Sequence, residues 1–441
     1  MLTPRNRLLF WTGMLVPFTA LSAFVPAAGN LTLMLAFALA AAAAIDAFLA
    51  GARAGEVSVT VPELVRLSKN RESEIPLVIE NRSREPVHLR IGLPLPEITG
   101  SKYETMSVSL PEEHRTSETV WPCKPMERGS FFIERCYFRV RSPYGFWNAR
   151  SSTQCRSEIR VYPDLMTERR NLAAIFLNRG NFGVHAQRQI GQGRDFEKLR
   201  EYIPGDSFDD IHWKATAKRG RPITKLYQIE RTQEIYVVVD SSRLSARRLE
   251  TGGDTALERF ITAALALGLV AERQGDLFGV LTFSDRIRSF VRAGGGRSHY
   301  NTCRDAMFAL NPEIVSPDFD ELAAFLRLKI RRRALVMVLT DLGDPVLAES
   351  FMRNINLINR RHVVLVSMLK QPGAEKIFTT PDANTTDDIY RKLAGHLVWR
   401  KLEEMKKDLR NRGVRLALVE NEKLSSELVN SYMTVKTRQQ L

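Results

Sequence analysis

Ile235-Tyr236-Val237-Val238-Val239 decides the fold of the larger part of this chain. Five consecutive apolar residues without alternation suit a strand covered on both faces. A helix is expected over residues 255–273, then a second strand over 277–283. A third apolar run at 334–339 precedes a helix over 347–359. A fourth at 362–368 precedes a long helix over 387–412, and 414–419 supplies the last strand. Strands alternating with helices imply right-handed crossovers and a mainly parallel sheet. Residues 234–441 therefore read as a doubly wound α/β domain.

Upstream the period changes. Val57-Ser58-Val59-Thr60-Val61, Ile75-Pro76-Leu77-Val78-Ile79 and Val87-His88-Leu89-Arg90-Ile91 alternate between turn residues, and further runs at 131–133, 136–140 and 159–162 continue the pattern. Period two with this punctuation argues a β-sandwich of about seven strands over residues 53–165. Residues 166–233 read as a linker with one short helix around 169–177.

Two apolar stretches open the chain, at residues 8–28 and 31–50, separated by Gly29-Asn30. Each is about 20 residues, enough to span a hydrocarbon core of about 30 Å. So short a link implies a transmembrane helical hairpin over residues 1–52. A cleaved signal peptide is the rival reading of the first stretch, with Arg5 and Arg7 as its basic end, although Pro26-Ala27-Ala28 is an imperfect cleavage site. Arg5, Arg7 and Arg53 flank the pair while the link is uncharged, so both ends are expected in the cytoplasm. Asp46 lies about one turn from the end of the second span, where a carboxylate can reach the headgroup region or face the partner helix; an intramembrane relay is the sharper reading, although a single acid near a helix end needs no functional role.

Lys and Arg number 64 against 50 Asp and Glu, a formal charge of +14. That balance suits nucleic acid, anionic lipid or an acidic protein partner. The basic residues are scattered, with no run interleaved with aromatics, so no nucleic-acid partner is expected. Cys123, Cys136, Cys155 and Cys303 show no pairing pattern, which favours a reducing compartment. A disulfide among the first three stays open if that domain faces the periplasm.

The stretch Gly191-Gln192-Gly193-Arg194-Asp195-Phe196, continuing through Leu199-Arg200-Glu201-Tyr202 and Pro204-Gly205-Asp206 to Trp213-Lys214, resembles the signature of the family called domain of unknown function 58. Glu127-Arg128-Gly129, Ser142-Pro143-Tyr144-Gly145 and Val161-Tyr162-Pro163-Asp164 are similar to the same family's sandwich segment. The resemblance implies two N-terminal spans, a sandwich and a von Willebrand A-like domain. It also implies a MoxR-type AAA+ ATPase as partner, with Arg200, Tyr202, Gly205, Asp206, Asp209, His212 and Trp213 as candidate contacts. Read from the residues, Tyr202 to Asp206 form a turn, and Asp209-Asp210 cap a short helix beginning near Ile211. Asp206, Asp209, Asp210 and His212 can alternatively be grouped as metal ligands or as the acids of a hydrolase. Carboxylates stabilising a helix start account for the same residues.

In von Willebrand A domains the first strand ends in Asp-x-Ser-x-Ser, which holds a divalent ion with a Thr and an Asp from later loops. Here Asp240 and Ser242 match, while Leu244 replaces the second Ser. Asp341 matches the last ligand. The loop expected to supply the Thr reads Gly294-Gly295-Gly296-Arg297-Ser298, so a cationic side chain is a candidate for the ion's place. Asp240, Ser242 and Asp341 thus form a degenerate Mg²⁺ site, or an ion-free one in which an Arg pairs with Asp240 or Asp341.

The common nucleotide, zinc-protease and hydrolase signatures are missing, and Gly191-x-Gly193 lacks the third glycine of a dinucleotide fingerprint. His299 and Cys303, four residues apart, are a weak nucleophile-and-base pair beside an ordinary packing role. The expectation is a multi-pass protein of the bacterial inner membrane with cytoplasmic soluble domains. It acts by binding and not by catalysis, as partner of an ATPase. A hydrolase and an envelope-assembly scaffold without an ATPase are the alternatives.

Overall fold

The computed structural model describes residues 1–22, 26–82, 86–111, 115–166, 168, 190–204, 206–228, 233–249, 253–377 and 385–438. The chain divides into two compact units, Met1–Asp164 and Leu165–Leu441.

In the first unit a short strand, β1 (Leu2–Pro4), leads into helix α1 (Asn6–Ser22), followed by helix α2 (Pro26–Gly55). Proline suits the first position of α2, because its missing N–H has no partner there and its φ is already helical. Gly29-Asn30, expected to be the link, lies inside α2. Among the described residues one helix, over Gly29–Gly55, is long and apolar enough to cross a membrane; α1 has 17 residues. Phe10, Val16, Met34 and Phe37 on the two helices are exposed.

The sandwich has two sheets. One runs β2 (Val57–Thr60), β4 (Ser73–Asn81), β7 (Thr116–Cys123). The other uses β3 (Leu64–Ser68), β5 (Val87–Gly92), β6 (Met106–Leu110), β8 (Gly129–Arg141) and β9 (Trp147–Tyr162), in the order β1-β9-β8-β5-β6 with β3 joined to β9. In β4, Ile75, Leu77 and Ile79 are buried while Glu74, Pro76 and Glu80 are exposed, the alternation that a one-sided sheet requires. The runs at 131–133 and 136–140 are one strand, β8, with an irregular register between Ile133 and Arg135.

Both ends of the helical pair are tied to this sandwich. Leu2 to Pro4 pair antiparallel with Trp147 to Ala149. Ala50 and Ala54 of α2 belong to the sandwich core. Asp46 is fully buried. Its Oδ2 accepts from the Ser142 hydroxyl (2.6 Å) and the Phe146 amide (3.0 Å), and its Oδ1 from the Tyr144 amide (3.0 Å). The Trp147 indole donates to the Ala43 carbonyl at 2.9 Å. Ser142-Pro143-Tyr144-Gly145 is thus a clamp on α2, with Gly145 at φ 79° closing the turn.

The second unit begins with an antiparallel pair, β10 (Ile190–Glu201) and β11 (Ile223–Gln228), enclosing a short helix, α3 (Trp213–Arg219). The helix expected at 169–177 lies outside the described residues. The main sheet uses β12 (Glu234–Asp240), β13 (Leu277–Phe283), β14 (Ile287–Gly294), β15 (Leu335–Leu339), β16 (Val363–Leu369) and β17 (Arg415–Val419). Their order is β14-β13-β12-β15-β16-β17, parallel except for β14.

Six helices cover it: α4 (Ala256–Arg273), α5 (Arg297–Met307), α6 (Phe319–Lys329), α7 (Pro345–Asn359), α8 (Thr386–Asn411) and α9 (Leu424–Thr437). Ile235, Val237 and Val239 share one core with Phe260 of α4 and Leu428 of α9. Tyr236 and Val238 share the other with Phe319, Phe351 and Leu409 from α6, α7 and α8. Successive β12 side chains thus serve opposite layers, which explains the unbroken apolar run. Asp276 pins α9 through Tyr432 and the Lys436 ammonium (2.7 Å) and accepts from the Gln233 amide at 3.1 Å.

Candidate functional site

Chain order reverses at β12: β13 and β14 lie to one side, β15 to β17 to the other. Such a switch point opens a crevice at the carboxyl ends of the flanking strands, where open α/β sheets place their ligands. Asp240 ends β12, and Thr340-Asp341 follow β15.

Asp240 is fully buried, with Oδ1 taking the Ser242 amide at 2.8 Å and Oδ2 the Thr340 hydroxyl at 2.5 Å. Burial pushes its carboxyl above the usual range, while the Thr340 and Ser242 donors pull it down. Asp341 Oδ1 accepts from the Gly343 amide at 2.9 Å, and its Oδ2 lies 3.3 Å from the Arg247 guanidinium. Ser242 is fully buried and accepts from the Leu244 amide. The structure therefore brings the three expected residues together and adds Thr340 and Arg247.

The loop of residues 294–298 is not part of this crevice. Gly294 pairs with Phe278 at the start of β13, whereas Asp240 pairs with Phe283 at its end. The antiparallel β14, unrecognised in the sequence, carries that loop to the opposite edge of the sheet. Arg297 and Ser298 are exposed there on α5. The loop that does reach the crevice joins α5 to α6. The Glu313 amide donates to the Ser241 carbonyl (2.7 Å), and the Arg243 amide to the Val315 carbonyl (3.0 Å). Ser316 of this loop accepts from Arg243 Nε at 3.2 Å, and Arg243 also reaches Asp344 at 3.4 Å. Nothing in the sequence separates Arg247 from Arg243, Arg248 or Arg297; only the fold selects it.

A divalent ion fits this donor set poorly, because the Arg247 guanidinium already stands 3.3 Å from Asp341 Oδ2 and repels a second cation there. Among the described residues no three His, Cys, Asp or Glu side chains are grouped to hold a metal. His299 Nε2 stands 3.5 Å from Cys303 Sγ, but it also meets the Phe278 carbonyl at 2.8 Å, and burial pushes the thiol up to about 12. That pair is built as core packing.

The signature residues form a second feature. Arg200 on β10 pairs with Asp206 (2.8 Å), whose Oδ2 also accepts from the Ile203 amide at 3.2 Å. Those two partners hold the carboxyl below its usual range, the Ile203 amide contributing most. Asp209 and Asp210 lie in a 3-10 turn capped by Ser207, and α3 is capped by His212, whose Nδ1 accepts from the Ala215 amide at 3.0 Å. The expected cap at Asp209-Asp210 is thus displaced to Ser207 and His212, because an imidazole nitrogen also serves as an N-terminal acceptor. Tyr202 stacks on Phe208 with centroids 5.9 Å apart. Phe208 is 73% and Trp213 68% exposed. Gly205 lies outside the described residues.

Residues 198–380 match the family model described as "Protein of unknown function DUF58". Two relatives, uncharacterized proteins of Mycobacterium bovis and Mycobacterium tuberculosis, are each 27% identical over 194 residues, or 43% of this chain. The match covers 59% of the length of those relatives. Among solved structures the chain is similar to a conserved hypothetical protein, BatB, from Bacteroides thetaiotaomicron, at 15% identity over 46% of this chain and 99% of that one, with a TM-score of 0.31. It is similar also to the SpRpn10 VWA domain, at 10% identity over 45% of this chain and 95% of that one, with a TM-score of 0.27. The family match begins inside the signature strand and ends beyond the Asp341 crevice, so residues 198–380 are the part of the chain that is similar to the DUF58 family.

Proposed function

We propose that this chain is a membrane-anchored protein-interaction module. Its helical pair sits in the bacterial inner membrane, and its von Willebrand A-like domain with the signature turn docks a MoxR-type AAA+ ATPase on the cytoplasmic side. The observation that carries the binding reading is the signature turn. Arg200 pairs with Asp206 and His212 caps α3, while Phe208 and Trp213 are exposed. Exposed aromatics on a fixed support mark a protein contact, because they bury large area at small entropic cost. The same bonds occupy Asp206 and His212, which favours binding over acid–base chemistry at this turn. Anchoring is supported by the exposed apolar faces of α1 and α2 and by their common footing on the sandwich.

Detergent extracts tagged on this chain are expected to yield an AAA+ ATPase in the presence of ATP and Mg²⁺. Phe208→Ala and Trp213→Ala should each cut that recovery at least tenfold while shifting stability by no more than about 0.5 kcal/mol, as for exposed positions generally. Repeated recovery of no ATPase by the parent chain sinks the partner assignment. Full recovery by both variants sinks the role of the turn.

A further inference from the structure

We infer that the switch-point crevice is an ion-free site, in which the guanidinium of Arg247 beside Asp341 supplies the positive charge that a divalent cation would otherwise bring. The inference does not depend on the identity of any partner.

Three observations converge on it. Arg247 lies 3.3 Å from Asp341 Oδ2, and its Nε and both terminal nitrogens are shielded from solvent with no hydrogen-bond acceptor in good geometry. A guanidinium is a permanent cation, so the charge of Asp341 is compensated whatever the ionic conditions. The other carboxylate, Asp240, is closed by the Thr340 hydroxyl and the Ser242 amide. The Ser316 hydroxyl, brought to the crevice by the loop before α6, is turned to Arg243, which also reaches Asp344. The acids of the crevice are thus answered by the chain's own groups: Asp240 by two hydrogen bonds, and Asp341 by the Gly343 amide and the Arg247 charge.

A divalent ion bound at Asp341 would face the Arg247 charge at close range, which disfavours the ion. The local arrangement explains why Leu244 is tolerated where an ion ligand would otherwise be needed. Leu244 is half-buried, and the next residue, Ser245, is fully buried with its hydroxyl on the Ser242 carbonyl at 2.8 Å. The loop is closed by protein–protein bonds and needs no metal to fix it.

The test uses the full-length, tag-free chain in detergent, titrated with Mn²⁺ by calorimetry and melted with Mg²⁺ or with EDTA. The parent is expected to show no saturable Mn²⁺ binding and the same melting midpoint in both buffers. Arg247→Met, which keeps the bulk and removes the charge, should gain Mn²⁺ affinity at least roughly tenfold over the parent. Adding Asp341→Asn should abolish that gain, and Arg247→Lys, which keeps the charge, should not show it. Saturable binding by the parent that Asp341→Asn removes overturns the inference, as does a folded Arg247→Met chain that binds no ion. If Arg247→Met does not fold, the parent decides alone: binding sensitive to Asp341→Asn overturns the inference, and silence sustains it.

Discussion

At the scale of single residues, three buried acids have quite different tasks. Asp240 closes the crevice, Asp46 holds a helix, and Asp276 holds the end of the chain. Asp276 shows why a buried carboxylate is stabilising only with its partners: its side chain is 2% exposed and meets Tyr432, Lys436 and the Gln233 amide. Burial and the neighbouring Asp276 push the Tyr432 phenol well above its ordinary range, so it remains a donor. Asp276→Ala leaves the Tyr432 hydroxyl without its acceptor and the Lys436 ammonium with the Gln274 carbonyl but no counter-charge. We predict a loss of about 3–5 kcal/mol, as for other broken buried pairs. Denaturant unfolding of the chain in detergent checks this, and a loss below about 1 kcal/mol would show that α9 is held by its apolar face alone.

At the scale of elements, the decisive join is between α2 and the clamp of residues 142–147. An apolar helix has no directional means of fixing its rotation or depth, whereas three donors converging on one carboxylate fix both. Asp46→Ala removes the acceptor from the Ser142 hydroxyl and from the Tyr144 and Phe146 amides. Unsatisfied buried donors cost about 1–3 kcal/mol each when solvent cannot replace the acceptor. The expected result is a melting midpoint lowered by several degrees and new proteolytic cleavage between α2 and β2, with partner recovery through the signature turn retained. Unaltered cleavage and melting would mean that Ala50, Ala54 and the Trp147–Ala43 bond suffice. Much of this level is legible in sequence where periodicity is strong. The apolar runs of β12, β15 and β16 and the amphipathic α4, α7 and α8 are cases, their observed ends falling within one or two residues of expectation. β14 is not legible, because its residues are all partly exposed and two arginines interrupt the pattern.

For the whole molecule, the membrane reading makes a topological prediction. From Pro26 to the clamp at Ala43, α2 has about 17 residues, like α1, and each leg reaches about 25 Å, close to a hydrocarbon thickness. A cysteine at Ala27→Cys, at the start of α2, should then react with a membrane-impermeant maleimide added to intact cells, while a C-terminal tag is digested only after the membrane is opened. Protection of that cysteine, or digestion of the tag in intact cells, contradicts the proposed orientation. What the sequence by itself determined is what depends on local period and composition: an apolar N-terminal pair of segments, an alternating β region, and a doubly wound α/β domain carrying Asp240, Ser242 and Asp341. The tertiary structure alone decided which side chains answer those acids. It put Arg247, Thr340, Arg243 and Ser316 at the crevice, moved residues 294–298 to the far edge, and seated Asp46 on residues separated from it by about a hundred positions. The physical reason is that charge pairing and hydrogen bonding are settled by distances across strand ends and between packed layers, which strand order and direction fix and local periodicity does not record.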